Sequence, residues 1–129
     1  MEDLQIIRKN RGNSTSFKGF ENAVMSIRFP RGEFVFNKKA VELTQMNNEK
    51  AFMFGLSKNN NCAYLFSEEP DVDSYYPKHS KDGIYRFTCK DLAGHFNNFF
   101  DTNKKMLFDI TLDNEKFKLT QRVKWTDIN

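Results

Sequence analysis

One pattern of glycine, aromatic and aliphatic residues occurs twice in the chain and constrains its fold more than any other feature. In residues 32–66, GEFVFNKKAVEL is followed by KAFMFGLS, an Asn-rich turn and AYLF. The second copy begins at Gly83 and reads GIYRFTCKDLAGHF, then KMLFDITL, a turn at Asp113-Asn114 and KFKL. A period of about fifty residues is typical of repeated supersecondary units, so the pattern predicts two related halves.

The two copies correspond in pattern more than in residue identity. Gly32, Phe34, Phe36, Lys39 and Val41 correspond to Gly83, Tyr85, Phe87, Lys90 and Leu92, and Phe54, Leu56 and Ser57 correspond to Phe108, Ile110 and Thr111. The resulting pseudo-repeats cover about 24–66 and 75–120. A true internal duplication and a chance recurrence of the pattern both remain open.

Length and composition favour one compact, soluble domain. The chain has 129 residues, of which 39% are hydrophobic and 29% charged, as is ordinary for such a domain. Its fourteen phenylalanines allow a small core to bury a large apolar area. The apolar runs are too short for a transmembrane helix, and the N-terminus lacks the apolar segment of a signal peptide. We therefore expect a cytoplasmic protein with no membrane association, in which Cys62 and Cys89 are reduced.

Positive charge is concentrated in the first third of the chain. The net charge is only +3, yet residues 8–39 hold eight basic residues and two acidic ones. Residues 1–22 are polar and show no apolar period, which predicts a flexible basic arm, with residues 23–129 forming a single α+β domain. The arm could run along a phosphate backbone, or it could be a solvated tail that aids solubility.

Alternation of apolar and polar residues predicts seven strands, and two further segments have helical spacing. Strands are expected at 24–30, 33–36, 51–56, 62–66, 84–87, 106–112 and 117–119. One helix is expected after an N-cap at Asn37 and a longer one after Thr88, and residues 67–82 are expected to be a long polar connection. The fold class is therefore α+β: two related strand–helix–hairpin halves form a twisted antiparallel sheet or open barrel with two short helices.

Basic and aromatic residues are the candidates for binding nucleic acid. The candidate site residues are Arg8, Lys9, Arg11, Arg28, Arg31, Lys38, Lys39, Tyr75, Tyr76 and Lys78. The cations would contact phosphates and give a salt-dependent affinity, and the two tyrosines would stack on bases if the target is single-stranded. Alternatively, both tyrosines could fold back onto the core, and the two lysines that follow Asn37 could simply be solvated.

Motifs for catalysis, a metal or a cofactor are absent from the sequence. The six glycines are scattered and form no phosphate-binding loop. His79 and His95 stand at no metal-ligand spacing from each other or from the cysteines. Cys89 is more typical of a small packed residue than of a nucleophile. We therefore predict a non-enzymatic protein with no metal site and no cofactor.

The segment GEFVFNKKAVELTQMNNEKAFMFGL resembles the swapped-hairpin domains of the AbrB-type family. In that family a short strand after a glycine leads into a small helix and a second strand. The similarity is carried by Gly32, Val35, Phe36, Lys38, Leu43, Lys50 and Phe54. It implies a DNA-binding transcriptional regulator that acts as a dimer, or as two halves within one chain.

In a different register the chain resembles the Pur-alpha-like repeat. KAFMFGLSKN, AYLFSEE and GIYRFTCKDLAGHFNNFF follow that family's order of strands ending in a helix with Phe-x-x-Phe. This resemblance implies binding of single-stranded DNA or RNA on a sheet face. The two registers divide the chain differently, so only one of them can be the true unit.

These patterns predict a small non-enzymatic nucleic-acid-binding protein, such as a regulator, that contacts phosphates through its basic arm and hairpin. DNA is favoured over RNA as the partner. The alternative is a protein-interaction or structural module, for instance of a mobile element, that pairs through exposed hairpin edges. Convergence of the four basic residues between 28 and 39 on one face would favour nucleic acid, and an exposed apolar patch would favour the interaction module.

Overall fold

The computed structural model describes residues 22–29, 31–69, 74–102 and 105–122. The predicted basic arm, except Asn22, lies outside them. The elements are β1 (Val24–Arg28), β2 (Glu33–Phe36), α1 (Lys38–Thr44), β3 (Ala51–Ser57), β4 (Cys62–Glu68), β5 (Lys78–His79), β6 (Tyr85–Thr88), α2 (Lys90–Phe100), β7 (Met106–Asp113) and β8 (Lys116–Gln121). Among the described residues, no helix has the length and apolarity needed to cross a membrane.

The eight strands form one antiparallel sheet in the order β3-β4-β8-β7-β1-β2-β6-β5. The sheet curls into a half-barrel, so that its two ends approach each other. Phe52 on β3 donates to the carbonyl of Tyr75 (2.9 Å), which lies just before β5, and Tyr75 donates back to the carbonyl of Phe52 (2.8 Å). The two helices and this curled antiparallel sheet confirm the predicted α+β class.

An aromatic core fills the concave face of the sheet. Phe96 of α2 is fully buried, and its ring centroid lies 5.7 Å from that of Phe34, 5.8 Å from that of Phe54 and 5.6 Å from that of Phe108. Those three rings belong to β2, β3 and β7, so one helical side chain joins distant parts of the sheet. Edge-to-face contacts of this kind add to the stabilisation from burying the rings.

Asn37 begins α1, as predicted, and also ties the helix to β1. Its Oδ1 accepts hydrogen bonds from the backbone N–H groups of Ala40 (2.8 Å) and Val24 (3.1 Å), and its Nδ2 donates to the carbonyl of Asn22 (2.9 Å). A helix of seven residues is too short to be stable by itself. The buried amide therefore fixes both the start of α1 and its position beside the sheet.

The predicted N-cap of α2 was wrong by one residue. Thr88 pairs with Glu33 in the β2–β6 ladder, which keeps its backbone extended. Cys89 caps the helix instead, and its Sγ accepts from the N–H of Leu92 at 3.5 Å. Thiol sulfur is a weaker acceptor than a hydroxyl oxygen, so strand pairing outweighs the local capping preference here.

The polar connection predicted at 67–82 contains a short strand. Residues Lys78 and His79 pair with Arg86 and Tyr85 of β6 as β5. Asn48 holds this strand as well, because its carbonyl accepts from Lys78 Nζ (2.8 Å) and its Oδ1 accepts from the N–H of His79 (2.9 Å). Two residues are too few for a readable alternation, so only the tertiary pairing defines this strand.

Candidate nucleic-acid interface

The convex face of β1, β2 and β6 carries a group of charged side chains, here called the Glu33 cluster: Arg28, Glu33, Arg86 and Lys105. Side chains alternate between the faces of a strand, so Glu33 points away from the core that holds Phe34. The carboxylate of Glu33 contacts Arg86 Nη1 through Oε2 at 2.6 Å and faces Arg28 Nη1 through Oε1 at 3.9 Å.

The carboxylate of this cluster is buried beneath partly exposed cations. The Glu33 side chain is only 9% exposed, whereas those of Arg28 and Arg86 are 45% and 41% exposed. A buried anion needs charged or hydrogen-bonding partners, which the two guanidinium groups supply. In return the carboxylate restricts the orientation of both guanidinium groups, and their outer sides remain accessible to solvent.

Three buried polar atoms on this face have no hydrogen-bond partner within the described part of the chain: Ser26 Oγ, Glu33 Oε1 and Arg86 Nε. Native structures contain few such atoms, and each one calls for an explanation. All three atoms are closed to solvent, so the described structure offers them no direct contact with an incoming ligand.

Lys105, which precedes β7, adds a third cation to the cluster. Burial lowers the pKa of its ammonium group, and the nearby positive charge of Arg28 lowers that pKa further. The second effect shows that the two cations share one electrostatic environment. With three cations and one carboxylate, the cluster has an excess of positive charge.

Some of the predicted phosphate contacts border the cluster. Arg31 is exposed in the β1–β2 turn, which the N–H of Gly32 closes by donating to the carbonyl of Arg28 at 2.8 Å. Lys78 pairs with Arg86 across β5 and β6, and directly paired residues share a face of the sheet. Arg28, Arg31 and Lys78 therefore lie in or beside one cationic region, whereas Arg8, Lys9 and Arg11 lie outside the described residues.

Lys38 and Lys39 lie at the other end of the hairpin. They follow β2, whose four residues span about 13 Å, whereas Arg28 and Arg31 precede that strand. Lys39 lines an open groove of about 530 Å³ with neighbours that include Asp109. The four basic residues between 28 and 39 are thus divided between the two ends of the β1–β2 hairpin and do not form one group.

The two candidate tyrosines differ in their surroundings. The ring of Tyr75 packs onto the core, with its centroid 5.2 Å from that of Phe87 and 5.7 Å from that of Phe54. Of the two alternatives for these tyrosines, packing onto the core therefore applies to Tyr75. Tyr76 faces the ammonium group of Lys78, whose Nζ lies 5.9 Å from the ring centroid.

The sequence pattern did not single out Arg86 or Lys105. Arg86 stands between Tyr85 and Phe87, an alternation that predicts a solvent-facing side chain but gives no sign of its neighbours. Its contact with Glu33 joins residues far apart in the chain and exists only because β2 pairs with β6.

The described residues hold no group of three or more His, Cys, Asp or Glu side chains that could bind a metal ion. Cys62 and Cys89 are free thiols, and Cys62 is buried.

No protein-family model matches the chain, and no curated protein or solved structure is significantly similar to it.

Proposed function

We propose that this is a small non-enzymatic nucleic-acid-binding protein that contacts phosphates through the Glu33 cluster. The observation that carries the proposal is the excess of positive charge in this cluster, where Arg28 and Arg86 contact a single buried carboxylate and Lys105 lies close enough to Arg28 for the two charges to interact. Arginine forks suit phosphate oxygens, and Glu33 orients them before a ligand arrives, which lowers the entropic cost of binding.

In this proposal the surface is extended by neighbouring basic residues. Arg31 and Lys78 border the cluster, and the basic arm with Arg8, Lys9 and Arg11 adds further phosphate contacts. DNA is favoured over RNA as the ligand, and regulation is the kind of role that such binding would serve. Lys38 and Lys39 lie at the far end of the hairpin and are not part of the same contact.

Removing two charges of the cluster is expected to weaken the salt dependence of binding. In Arg28→Gln/Lys105→Gln, the plot of log affinity against log salt concentration should become shallower by about 0.7–0.9 for each phosphate that the variant leaves without a cation. Fluorescence anisotropy with labelled single-stranded and duplex DNA at several salt concentrations measures this slope. Lys81→Gln, an exposed charge in the turn between β5 and β6, is the matched control and should leave the slope unchanged.

Two results would overturn the proposal. The first is no binding by the natural protein even at low salt. The second is an equal change of slope per charge removed in the double variant and in Lys81→Gln, because binding would then depend on diffuse charge and not on the Glu33 cluster.

A second candidate, a protein-interaction or structural module, is favoured by the division of the four basic residues between 28 and 39 between the two ends of the β1–β2 hairpin. Leu112 on β7 is 63% exposed and Leu56 on β3 is 40% exposed, although both are large and apolar. Exposed apolar side chains are common singly, and a functional patch requires them to be contiguous. Absence of DNA binding together with a dimer in sedimentation experiments would favour this candidate.

We also infer that the chain consists of two related halves. Two strands, a helix and two strands are followed by the same order of elements. Gly32 and Gly83 precede β2 and β6, with φ of +73° and +77°. In the repeat, Phe34 corresponds to Tyr85 and Phe36 corresponds to Phe87. Phe34 pairs with Phe87 in the β2–β6 ladder, and their counterparts Tyr85 and Phe36 also pair with each other. This reciprocal register is what two halves related by a two-fold axis would show.

Reversing the order of the halves should give a folded protein. The permuted chain would begin at Val72 and join Asn129 directly to Met1. Val24 of β1 and Thr120 of β8 both pair with Asp109 of β7. The first and last strands of the chain therefore lie only about 10 Å apart. Chemical denaturation should show a cooperative transition. A control chain opened at Glu49, within the first half, should be less stable than this permutant by about 1 kcal/mol or more. Equal stability of the two permuted chains would argue against the halves as units.

A further inference from the structure

A second surface lies on the convex face of β3, β4 and β8, away from the Glu33 cluster. β4 contributes two aromatic side chains there, Tyr64 and Phe66, and both are partly exposed. Tyr64 pairs with Lys118 of β8 on one side and with Gly55 of β3 on the other. Together with Lys116, the first residue of β8, these side chains form what is here called the β4–β8 surface.

Lys116 connects the two aromatic rings of this surface. Its Nζ lies 5.3 Å from the centroid of the Tyr64 ring, and the same lysine lines a pocket with Phe66. A hydrogen bond with Cys62 and partial burial raise the pKa of the Tyr64 hydroxyl, so this group stays neutral. An ammonium group is therefore held between an aromatic face and an open pocket.

The pocket beside Phe66 is large enough for a planar ring. It has a volume of about 710 Å³ and is lined by Phe66, Ser67, Asn114, Glu115 and Lys116. Ligand pockets in proteins fall in this size range and combine apolar walls with a few polar groups. A Cβ added at Gly55 would lie 3.8 Å from Cε1 of Phe66, which is van der Waals contact, so the Phe66 ring extends over this glycine.

We propose that the β4–β8 surface binds an unpaired nucleotide, with the base stacked on Phe66 and the phosphate beside Lys116. The inference rests on the proposed nucleic-acid function and specifies its ligand as single-stranded. A base in a duplex is already stacked on its neighbours, so only an unpaired base can place a face on this ring.

The charges beside the pocket favour a nucleotide over a purely apolar ligand. Lys116 and Lys118 supply two cations next to the rings, and among the described residues the nearby carboxylates are Glu115, which lines the pocket, and Asp113, which pairs with Lys116. A phosphate would therefore approach from the lysine side and a neutral base would occupy the pocket. The side-chain amide of Asn114, in the β7–β8 turn, can bond to a base edge.

The experiment compares an oligonucleotide with an abasic strand of the same length. Both carry the same phosphates, but only the first can stack. In fluorescence anisotropy, Phe66→Leu should weaken binding of labelled oligo-dT by about 5- to 100-fold and leave binding of the abasic strand unchanged. Phe66→Trp should retain the affinity, because it keeps an aromatic face, and thermal unfolding checks that each variant is folded.

The outcomes separate this inference from the proposed function. If the natural protein binds both strands and Phe66→Leu changes neither affinity, the stacking surface is wrong while phosphate binding by the protein stands. If Phe66→Leu weakens both strands equally, its effect is structural and the inference fails. If the natural protein binds neither strand at low salt, the proposed function and this inference fail together.

Discussion

Phe96→Ala is expected to lower the free energy of unfolding by about 3–5 kcal/mol, the range for truncating a buried aromatic residue. Phe96 is fully buried on α2, and its ring contacts rings from three different strands. The cavity left by alanine could not be filled by small adjustments, since those strands are fixed by the backbone hydrogen bonds of one sheet. The free energy of unfolding of a small domain is only about 5–15 kcal/mol in total, so this variant should be close to unfolding at growth temperature.

Phe99→Ala is the matched control for this prediction. Phe99 lies on the same helix and contacts Phe100 edge to face at 4.8 Å, but it remains partly exposed. Truncating Phe99 should lower the free energy of unfolding clearly less than truncating Phe96, because less buried apolar area is lost. Urea denaturation followed by circular dichroism measures both values. Similar destabilisation of the two variants would contradict the central role given to Phe96.

Gly32→Ala is expected to destabilise the protein by about 2–5 kcal/mol. The backbone at Gly32 has φ of +73°, a conformation that costs about 1–2 kcal/mol for a residue with a Cβ. That Cβ would also lie 2.7 Å from the Cα of Lys90 at the start of α2, and overpacking of this kind costs about 1–3 kcal/mol. The neighbour is backbone, so it cannot move aside as a flexible side chain could.

Two other glycines make this prediction testable by comparison. Gly83→Ala has the same φ strain, with φ of +77°, but its Cβ would meet only the side chain of Lys38 at 3.2 Å, so a smaller destabilisation is expected. Gly94→Ala meets no atom within 4 Å on the interior of α2 and should stabilise the protein by up to about 1 kcal/mol. The expected order in thermal unfolding is therefore Gly94→Ala, Gly83→Ala, Gly32→Ala, from most to least stable. A Gly32→Ala variant at least as stable as Gly83→Ala would show that the steric contact at Gly32 does not dominate.

The strands and helices of this protein could be predicted because their signals are local. β2 and α2 occur where the alternation and the helical spacing predict them, and Asn37 caps α1 as its type suggests. The strand β5 could not be predicted, since it consists of Lys78 and His79 alone and exists through its pairing with β6.

The candidate surfaces were predictable only in part, for a related reason. Arg28, Arg31 and Lys78 were recognisable as basic residues, but their neighbours depend on which strands are adjacent. The Glu33 cluster joins β1, β2 and β6, and the β4–β8 surface joins strands from both copies of the sequence pattern. A count of charge along the chain places Lys38 near Arg31, whereas the structure puts them at opposite ends of a strand.

The sequence by itself determined the α+β class, the aromatic core and the approximate positions of seven strands and both helices, because side-chain periodicity and capping act over a few residues. Only the tertiary structure decided the order of the strands, the approach of Tyr75 to Phe52 and the grouping of Arg86 with Glu33. These contacts join residues distant in the chain, and they form when the curled sheet buries its phenylalanines. The pairing of strands that achieves this burial is a property of the whole chain and is not encoded in any one segment.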